Sequence, residues 1–252
     1  MIASPYDLEV RYSQKRSIEW RGYKVHLTET CEKDTPNLIT HVETTKATIQ
    51  DVTIVDDIHA GLKKKDLLPD DHLLDGAYIS ADNLVTSQSE YDVNLIGPMQ
   101  QDSSWQARDK DAFDRIMFEI DWKNQSVVCP KGNSSRYWKP GKGPSGRPTI
   151  QIHFHKQDCL VCEARSQCTR SKVNPRQLTL PLQAQYLALV AARERQTTES
   201  FKKEYAARSG VEGTVSQAVF SMGMRRTRYR GLKKTHFQHI TYLCGYQFTT
   251  CA

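Results

Sequence analysis

The order of the predicted elements in the first hundred residues is the feature that most constrains the fold. Residues 22–28 and 38–45 are rich in β-branched and aromatic side chains that alternate with polar ones, and turn-forming residues separate them, so they predict a β-hairpin. The elements predicted to follow are a helix over 51–65, a short strand ending at Leu74, a helix over 81–90 with Ser80 as its N-cap, and a strand over 93–97. This order predicts an α/β fold with a mixed sheet.

The middle of the chain differs in composition from what precedes it. Residues 100–181 are rich in Gly, Pro, Ser, Lys and Arg, and they hold four of the seven cysteines. A helical pattern resumes at about Leu182. We therefore expect three parts: residues 1–99 as the first part of the core, 100–181 as an inserted subdomain, and 182–252 as C-terminal core helices with a basic tail.

Charge is strongly segregated along the 252 residues. The formal net charge of +6 arises from 35 Lys and Arg against 29 Asp and Glu. Residues 122–181 hold eleven basic and two acidic residues, and residues 213–252 hold six basic and none that is acidic. Such segregation indicates a polyanionic partner. Cations interleaved with tyrosine suit DNA phosphates, although a charge run can also be a solvated face. The predicted DNA contacts of the tail are Arg225, Arg226, Arg228, Arg230, Lys233 and Lys234.

Two sequence features bear on the compartment. No apolar run reaches the length of a membrane-spanning helix, so we expect no membrane association. The first residues lack the basic and then apolar pattern of a signal peptide. We therefore expect a cytoplasmic protein, in which cysteines are thiols or metal ligands rather than disulfides.

Four cysteines of the middle segment have a spacing typical of metal ligands. Cys129 is followed by a glycine-containing turn, and Cys159, Cys162 and Cys168 follow further along the chain. The pattern predicts a structural Cys₄ zinc site, which would cross-link a segment that is poor in core residues. The alternative is four unligated thiols in a loosely ordered insert.

A second constellation is Tyr205, Arg208 and Glu212, which share one face of a helix because they are three and four residues apart. The spacing alone also fits a surface ion pair. The tyrosine, arginine and glutamate pattern resembles that of the DDE transposases of bacterial insertion sequences, in the branch with an insertion between the second Asp and the Glu. Asp75, at a strand end before Gly76 and Tyr78, resembles the second Asp of that family.

Shorter segments extend the resemblance over nearly the whole chain. Residues 4–13 and 22–26 resemble early strands of the family, and residues 210–214 with the basic stretch behind them resemble its C-terminal part. The sequence departs from the family at position 219, where Val219 replaces a lysine expected seven residues after the glutamate. The residue that would make one DNA-positioning contact in that family is therefore absent at this position.

The resemblance implies a fold, a chemistry and partners. The fold is a ribonuclease-H-like mixed sheet with flanking helices, interrupted by the Cys-rich insertion. Asp75 and Glu212 would be catalytic and bind Mg²⁺ or Mn²⁺, while Tyr205 and Arg208 would contact DNA. The reaction would be phosphodiester hydrolysis and strand transfer on transposon ends and target DNA, with a homodimer in the complete protein.

The family's first Asp is the missing part of the pattern. It precedes the segment matched by Ser4–Asp7, so we expect the first strand to be missing and this chain, as a truncated catalytic domain, to be inactive on its own. Asp7 is a weak substitute, because its neighbours predict a loop. Two alternatives remain open: a non-catalytic, zinc-stabilised DNA-binding relic of a transposase, and an unrelated nuclease that uses Asp75 and Glu212.

Overall fold

The computed structural model describes residues 3–15, 17–144 and 146–250, and of 248–250 only the backbone. The chain divides into two compact units. The core unit is Met1–Met99 with Glu194–Ala252, and the insert unit is Gln100–Arg193. The predicted insert ended at residue 181, whereas the compact insert unit continues to Arg193. Helices and several small sheets occur in both units, which confirms the α/β class.

The first part of the core unit contains two separate sheets. Its elements are β1 (Arg11–Lys15), β2 (Ile18–Glu29), β3 (Ile39–Lys46), α1 (Val55–Lys63), β4 (Asp71–Leu73), α2 (Ala81–Tyr91) and β5 (Asn94–Ile96). The predicted hairpin is confirmed, because β2 and β3 pair antiparallel from Tyr23 opposite Lys46 to Glu29 opposite Ile39. β1 pairs with the start of β2, and β4 pairs with β5 in parallel.

The single mixed sheet that we expected is not formed among the described residues. The strand orders are β1-β2-β3 in one sheet and β4-β5 in the other. A cavity lined along one side by residues 25–31 and along the other by residues 71–75 lies between β2 and β4. Since an extended chain pairs only with a strand about 4.8 Å away, this cavity keeps the two sheets apart.

Helix α1 begins later than predicted. Asp51 starts a short 3₁₀ turn, Asp51–Thr53, and its Oδ1 accepts a hydrogen bond from Lys24 Nζ at 2.9 Å instead of capping the helix. The apolar spacing then buries Val55, Ile58 and Leu62. For α2 the predicted N-cap is correct, because Ser80 Oγ accepts from the backbone N–H of Asn83 at 3.1 Å.

The insert unit has a core of its own. Its elements are α3 (Trp105–Arg108), β6 (Glu119–Asp121), β7 (Ser126–Val128), β8 (Ser135–Lys142), β9 (Pro148–Phe154), α4 (Lys156–Leu160), α5 (Arg165–Cys168), β10 (Gln177–Leu180) and most of α6 (Gln183–Arg195). β6 and β7 form a hairpin, and β8, β9 and β10 form an antiparallel sheet with β9 in the centre. Alternate residues of β9 and β10 point inward and build the apolar core, which comprises Phe118, Val127, Ile150, Ile152, Phe154, Leu178 and Leu180. The expectation that this segment is poor in core residues is therefore wrong, because the short runs of its strands meet in three dimensions.

The C-terminal part of the core unit is helical. Its helices are α7 (Glu199–Tyr205), α8 (Ser209–Met222) and α9 (Leu232–Thr250). The helical pattern that resumes at about Leu182 does not form one helix, because Thr198 Oγ1 accepts from the backbone N–H of Phe201 at 3.2 Å and so caps the start of a new helix, α7. Gly223, at a φ of +67°, ends α8, since glycine adopts this left-handed backbone without strain. None of the helices in the described ranges has the length and apolar composition needed to cross a bilayer.

Candidate active site

Asp75 lies in a tight turn at the carboxyl end of β4. Leu74 continues the pairing with β5, because its N–H donates to the carbonyl of Ile96 at 2.8 Å. The turn passes so close to β5 that a Cβ at Gly97 would lie 2.5 Å from the carbonyl oxygen of Leu74. The backbone is thus held by β5 while the Asp75 side chain is exposed. A carboxylate at this strand end is available to a ligand.

Behind Asp75 lies a buried polar chain that the sequence did not reveal. Tyr78 Oη is 2.6 Å from His26 Nδ1, and His26 Nε2 is 3.0 Å from Thr45 Oγ1. Burial raises the pKa of Tyr78, and the negative charges of Asp51 and Asp75 raise it further. Burial also lowers the pKa of His26. Tyr78 therefore stays protonated and donates to a neutral His26.

Tyr205, Arg208 and Glu212 come together across the junction of α7 and α8. Arg208 Nη1 donates to Glu212 Oε1 at 2.9 Å, and the Arg208 guanidinium lies 6.0 Å from the centre of the Tyr205 ring. The Tyr205 hydroxyl donates to the carbonyl oxygen of Leu74 at 3.2 Å, so it ties this junction to the residue before Asp75.

Arg208 interacts with both candidate carboxylates. Burial acts to lower the pKa of Arg208, but its hydrogen bond to Glu212 and the charges of Tyr205 and Asp75 outweigh this, and the pKa is raised. The two carboxylates lie on different kinds of element, since Asp75 follows a strand and Glu212 projects from a helix with its side chain 71% exposed. Arg208 is thus the positive charge that the two carboxylates share.

Two adjoining concavities meet at Arg208. One is a cavity of about 310 Å³ whose wall includes Asp75, Tyr78 and Arg208. The other is a groove of about 410 Å³ whose wall includes Arg208, Glu212 and Arg225. A phosphate that binds near Arg225 would therefore lie beside the Glu212 carboxylate.

Asp7, the suggested substitute for the first Asp, is fully engaged in hydrogen bonds. Its carboxylate accepts from the Tyr23 hydroxyl at 2.9 and 3.1 Å, from the N–H of Glu9 at 3.0 Å and from the N–H of Gly231 at 2.7 Å. Desolvation acts to raise the pKa of Asp7, yet the hydrogen bonds, that from Gly231 foremost, lower it by more. Asp7 therefore anchors the N-terminal segment to β2 and to the start of α9.

The donor atoms, rather than a preformed cage, suit a hard cation. Within the described ranges, no three His, Cys, Asp or Glu side chains are arranged to hold a metal ion. Mg²⁺ commonly binds through one or two carboxylates, with phosphate oxygens and water as its other ligands. Asp75 and Glu212 supply that donor chemistry.

The four predicted zinc ligands share one cavity of the insert unit. Cys129, Cys159, Cys162 and Cys168 all line it. Burial raises the pKa of Cys168 to about 11, and the other three sulfurs add to this effect. The thiols are therefore close enough to influence one another, although they form no metal-binding arrangement.

The basic segment of residues 224–234, which we call the basic loop, runs from the end of α8 into α9. Its six Lys and Arg side chains are all exposed. Gln238, which is 1% exposed, fixes the loop from below: its Oε1 accepts from the N–H of Arg228 at 2.8 Å and its Nε2 donates to the carbonyl of Arg226 at 2.9 Å. The backbone is thus held by a buried amide while the cations face solvent.

Comparison with known proteins supports the family resemblance for the C-terminal part of the chain. The family model of the transposase DDE domain matches residues 128–250, which include Glu212 and the four clustered cysteines and leave out Asp75. The predicted resemblance to DDE transposases is confirmed by this match, which covers just under half of the chain and indicates a function in DNA transposition. Transposases bind DNA, and DDE domains generally use divalent metals such as Mg²⁺. Neither the curated proteins nor the solved structures give a match to the chain.

Proposed function

We propose that this chain acts on DNA in transposition through metal-dependent cleavage and strand transfer, with Asp75 and Glu212 as the metal-binding carboxylates. The observation that carries the proposal is Arg208, whose guanidinium hydrogen-bonds to Glu212 and interacts with Asp75. This partly buried cation interacts with an exposed strand-end carboxylate and with a helix carboxylate, and the two concavities that these carboxylates line both include it. The basic loop supports the same assignment, because Arg225 and Glu212 line one groove.

The roles of the side chains follow from their contacts. Asp75 and Glu212 would hold Mg²⁺ or Mn²⁺, which when bound activates the attacking oxygen and stabilises the leaving one. Arg208 balances the carboxylate charge, and Tyr205 positions Arg208 through its bond to Leu74. Tyr78 and His26 stiffen the floor of the cavity. Arg225 and the rest of the basic loop would bind the phosphate backbone.

The third carboxylate of the family pattern is not Asp7 under this proposal. All of the Asp7 contacts are structural, and Asp51 is occupied by Lys24. With two metal-binding carboxylates, we expect this chain alone to cleave DNA slowly at best.

A nicking assay on supercoiled plasmid in Mn²⁺ tests the assignment. Any nicking should disappear in Asp75→Asn and in Glu212→Gln, and it should persist in Asp7→Asn. The matched controls are Asp70→Asn and Glu204→Gln, two exposed acids that should leave the rate unchanged. Nicking that survives in both Asp75→Asn and Glu212→Gln would refute the assignment.

The second candidate is a DNA-binding transposase relic without catalysis. It is favoured by the lack, among the described residues, of three His, Cys, Asp or Glu side chains arranged to hold a metal ion. The two candidates differ in metal binding: a relic would bind DNA through the basic loop and show neither nicking nor Mn²⁺ binding at Asp75.

We also propose that the four cysteines of the insert unit bind structural zinc after a small local closure. Beyond their shared cavity, Arg176 supports this, because its Nε is buried without a hydrogen bond to any described residue and its charge lies near Cys168. A zinc ion with four thiolates carries a net charge of −2, which Arg176 would offset. Arg165 already holds the backbone around the ligands through the carbonyl of Cys159 at 2.7 Å.

Metal analysis of the purified chain tests the zinc proposal. About one zinc per chain is expected, as for other structural sites of this type. Cys162→Ser should lose it, while Cys31→Ser, which changes a cysteine of the core unit, should retain it. Protein that is folded and zinc-free would overturn the proposal.

A homodimer is the proposed assembly of the complete protein. Strand transfer joins two transposon ends to one target, so a pair of sites acting together suits the chemistry. Light scattering of the chain on end DNA, with two chains per complex expected, tests this.

A further inference from the structure

The open face of the insert sheet carries cations that neither the carboxylates nor the basic loop account for. In β8, Tyr137 and Lys139 point to the same side, because they are two residues apart on a strand. Across the sheet, Tyr137 lies opposite His153, and His153 lies opposite Gln177. The next row is Lys139, Gln151 and Thr179. We call these two rows the open face.

The other side of the same strands is apolar and covered. Trp138, Ile152 and Leu178 form the corresponding row there and pack in the core of the insert unit. The alternation therefore assigns polar and aromatic groups to solvent and apolar groups to the interior. An open face that contains tyrosine, histidine, lysine and amides, with no carboxylate, is unlike an ordinary solvated surface, which carries charges of both signs.

Two cations are held in place on this face by an aromatic ring. The guanidinium of Arg136 and the Nζ of Lys139 each lie 4.6 Å from the centre of the Tyr137 ring. His153 lies against the same ring at 6.4 Å in an edge-on arrangement. Arg136 reaches the ring because the pairing of β8 shifts register between Ser135 and Tyr137. Preorganised cations lose less conformational entropy when an anion binds.

The sequence around Arg136 and Lys139 contains no acidic residue. Between Asp121 and Asp158 the sequence holds seven Lys and Arg and no Asp or Glu. Among the described residues, neither Arg136 nor Lys139 forms an ion pair with a carboxylate. The seven cations are Lys123, Lys131, Arg136, Lys139, Lys142, Arg147 and Lys156.

We propose that the open face of the β8-β9-β10 sheet is a DNA-binding surface in which Arg136 and Lys139, held by Tyr137, contact the phosphate backbone. The assignment rests on the proposed function in so far as the partner is DNA. It extends that function by placing a second set of phosphate contacts on the insert unit, apart from the basic loop. The amides of Gln151 and Gln177 are hydrogen-bonding groups for the sugar-phosphate chain in the same rows.

The test measures binding of the full chain to a fluorescein-labelled 30-base-pair DNA duplex in buffer without added Mg²⁺ or Mn²⁺, so that catalysis plays no part and any zinc in the insert unit is retained. Arg136→Gln combined with Lys139→Gln should weaken binding at least about tenfold at 100 mM salt and reduce the slope of log K against log salt by about 2. Tyr137→Leu, which keeps both charges, should weaken binding by a smaller factor. The control variant combines Lys123→Gln with Lys172→Gln and so removes two exposed cations elsewhere in the unit. Its DNA affinity and its salt slope should both stay within twofold of the wild-type values.

The outcomes separate this proposal from the proposed catalytic function. Unchanged affinity and salt slope in the folded Arg136→Gln/Lys139→Gln variant would overturn it, and the two cations would then only protect the edge of β8 from pairing. Equal losses in that variant and in the Lys123→Gln/Lys172→Gln control would also overturn it, because net charge alone would then explain binding. Loss of DNA affinity in the open-face variant, together with Asp75→Asn nicking at the wild-type rate, would retain the surface and reject the catalytic assignment.

Discussion

At the scale of single residues, function in this chain depends on side chains whose partners lie far along the sequence. Tyr205 reaches Leu74 across 131 residues, and Asp7 reaches Gly231 across 224. The spacing of Tyr205, Arg208 and Glu212 could be read from the sequence because the three residues lie within seven positions, about two helical turns. The partners of Tyr205 and Asp7 could not, since they depend on how distant elements pack.

Tyr205→Phe is expected to destabilise the core unit by about 1 kcal/mol, because it removes one half-buried hydrogen bond to a carbonyl. Urea unfolding monitored by circular dichroism measures this. Tyr229→Phe, at an exposed tyrosine of the basic loop, is the matched control and should change stability little. Equal stability of Tyr205→Phe and wild type would show that the bond to Leu74 contributes nothing.

Stability should fall as the pH is lowered from about 6.5 towards 4. Burial lowers the pKa of His72 to about 3 and that of His239 to about 4. The unfolded chain binds protons near pH 6.5 while the native state does not, so each such histidine costs about 1.4 kcal/mol per pH unit below that value. Thermal melts at pH 7, 6 and 5 measure the decline. A melting temperature that is flat over this range would contradict the burial of both imidazoles.

At the scale of elements, buried polar groups decide which loops keep a fixed shape. The basic loop is anchored by Gln238, and α7 begins as a new helix because Thr198 caps it.

Replacing Gln238 by Leu leaves the charge of the loop unchanged and removes two backbone contacts. We expect a loss of about 1–3 kcal/mol in stability, together with weaker DNA binding than in wild type. Hydrogen exchange at the Arg228 amide and the DNA affinity are the two measurements, and unchanged affinity with fast exchange would show that loop order is irrelevant to binding.

Elements were predictable where their signal was local. The hairpin of β2 and β3, the cap at Ser80 and the strand β5 follow from alternation, capping and turn residues. The sheet of the insert unit was largely missed, because β8 carries few apolar residues and the alternation in β10 spans only four residues. The division into two sheets in the core unit was missed as well, since strand order is a property of long-range packing.

At the scale of the whole molecule, the segregation of charge corresponds to separate surfaces. The basic loop lies next to Glu212 in the core unit, and the open face lies in the insert unit.

With six cations in the loop and two on the open face, the slope of log K against log salt for DNA binding should be about −7. The slope should be about −5 if only the loop contacts DNA. Fluorescence anisotropy between 50 and 300 mM KCl measures it. A slope near zero would show that neither surface neutralises phosphate.

The central claim is that Asp75 and Glu212 hold a divalent metal ion beside bound DNA. Electron paramagnetic resonance of Mn²⁺ titrated into the chain with a duplex measures this directly and does not depend on turnover. We predict that Asp75→Asn and Glu212→Gln each weaken Mn²⁺ binding at least about tenfold, since each removes one of two charged ligands. The control Glu204→Gln should bind like wild type. Mn²⁺ affinity that is the same in wild type, Asp75→Asn and Glu212→Gln would contradict the claim.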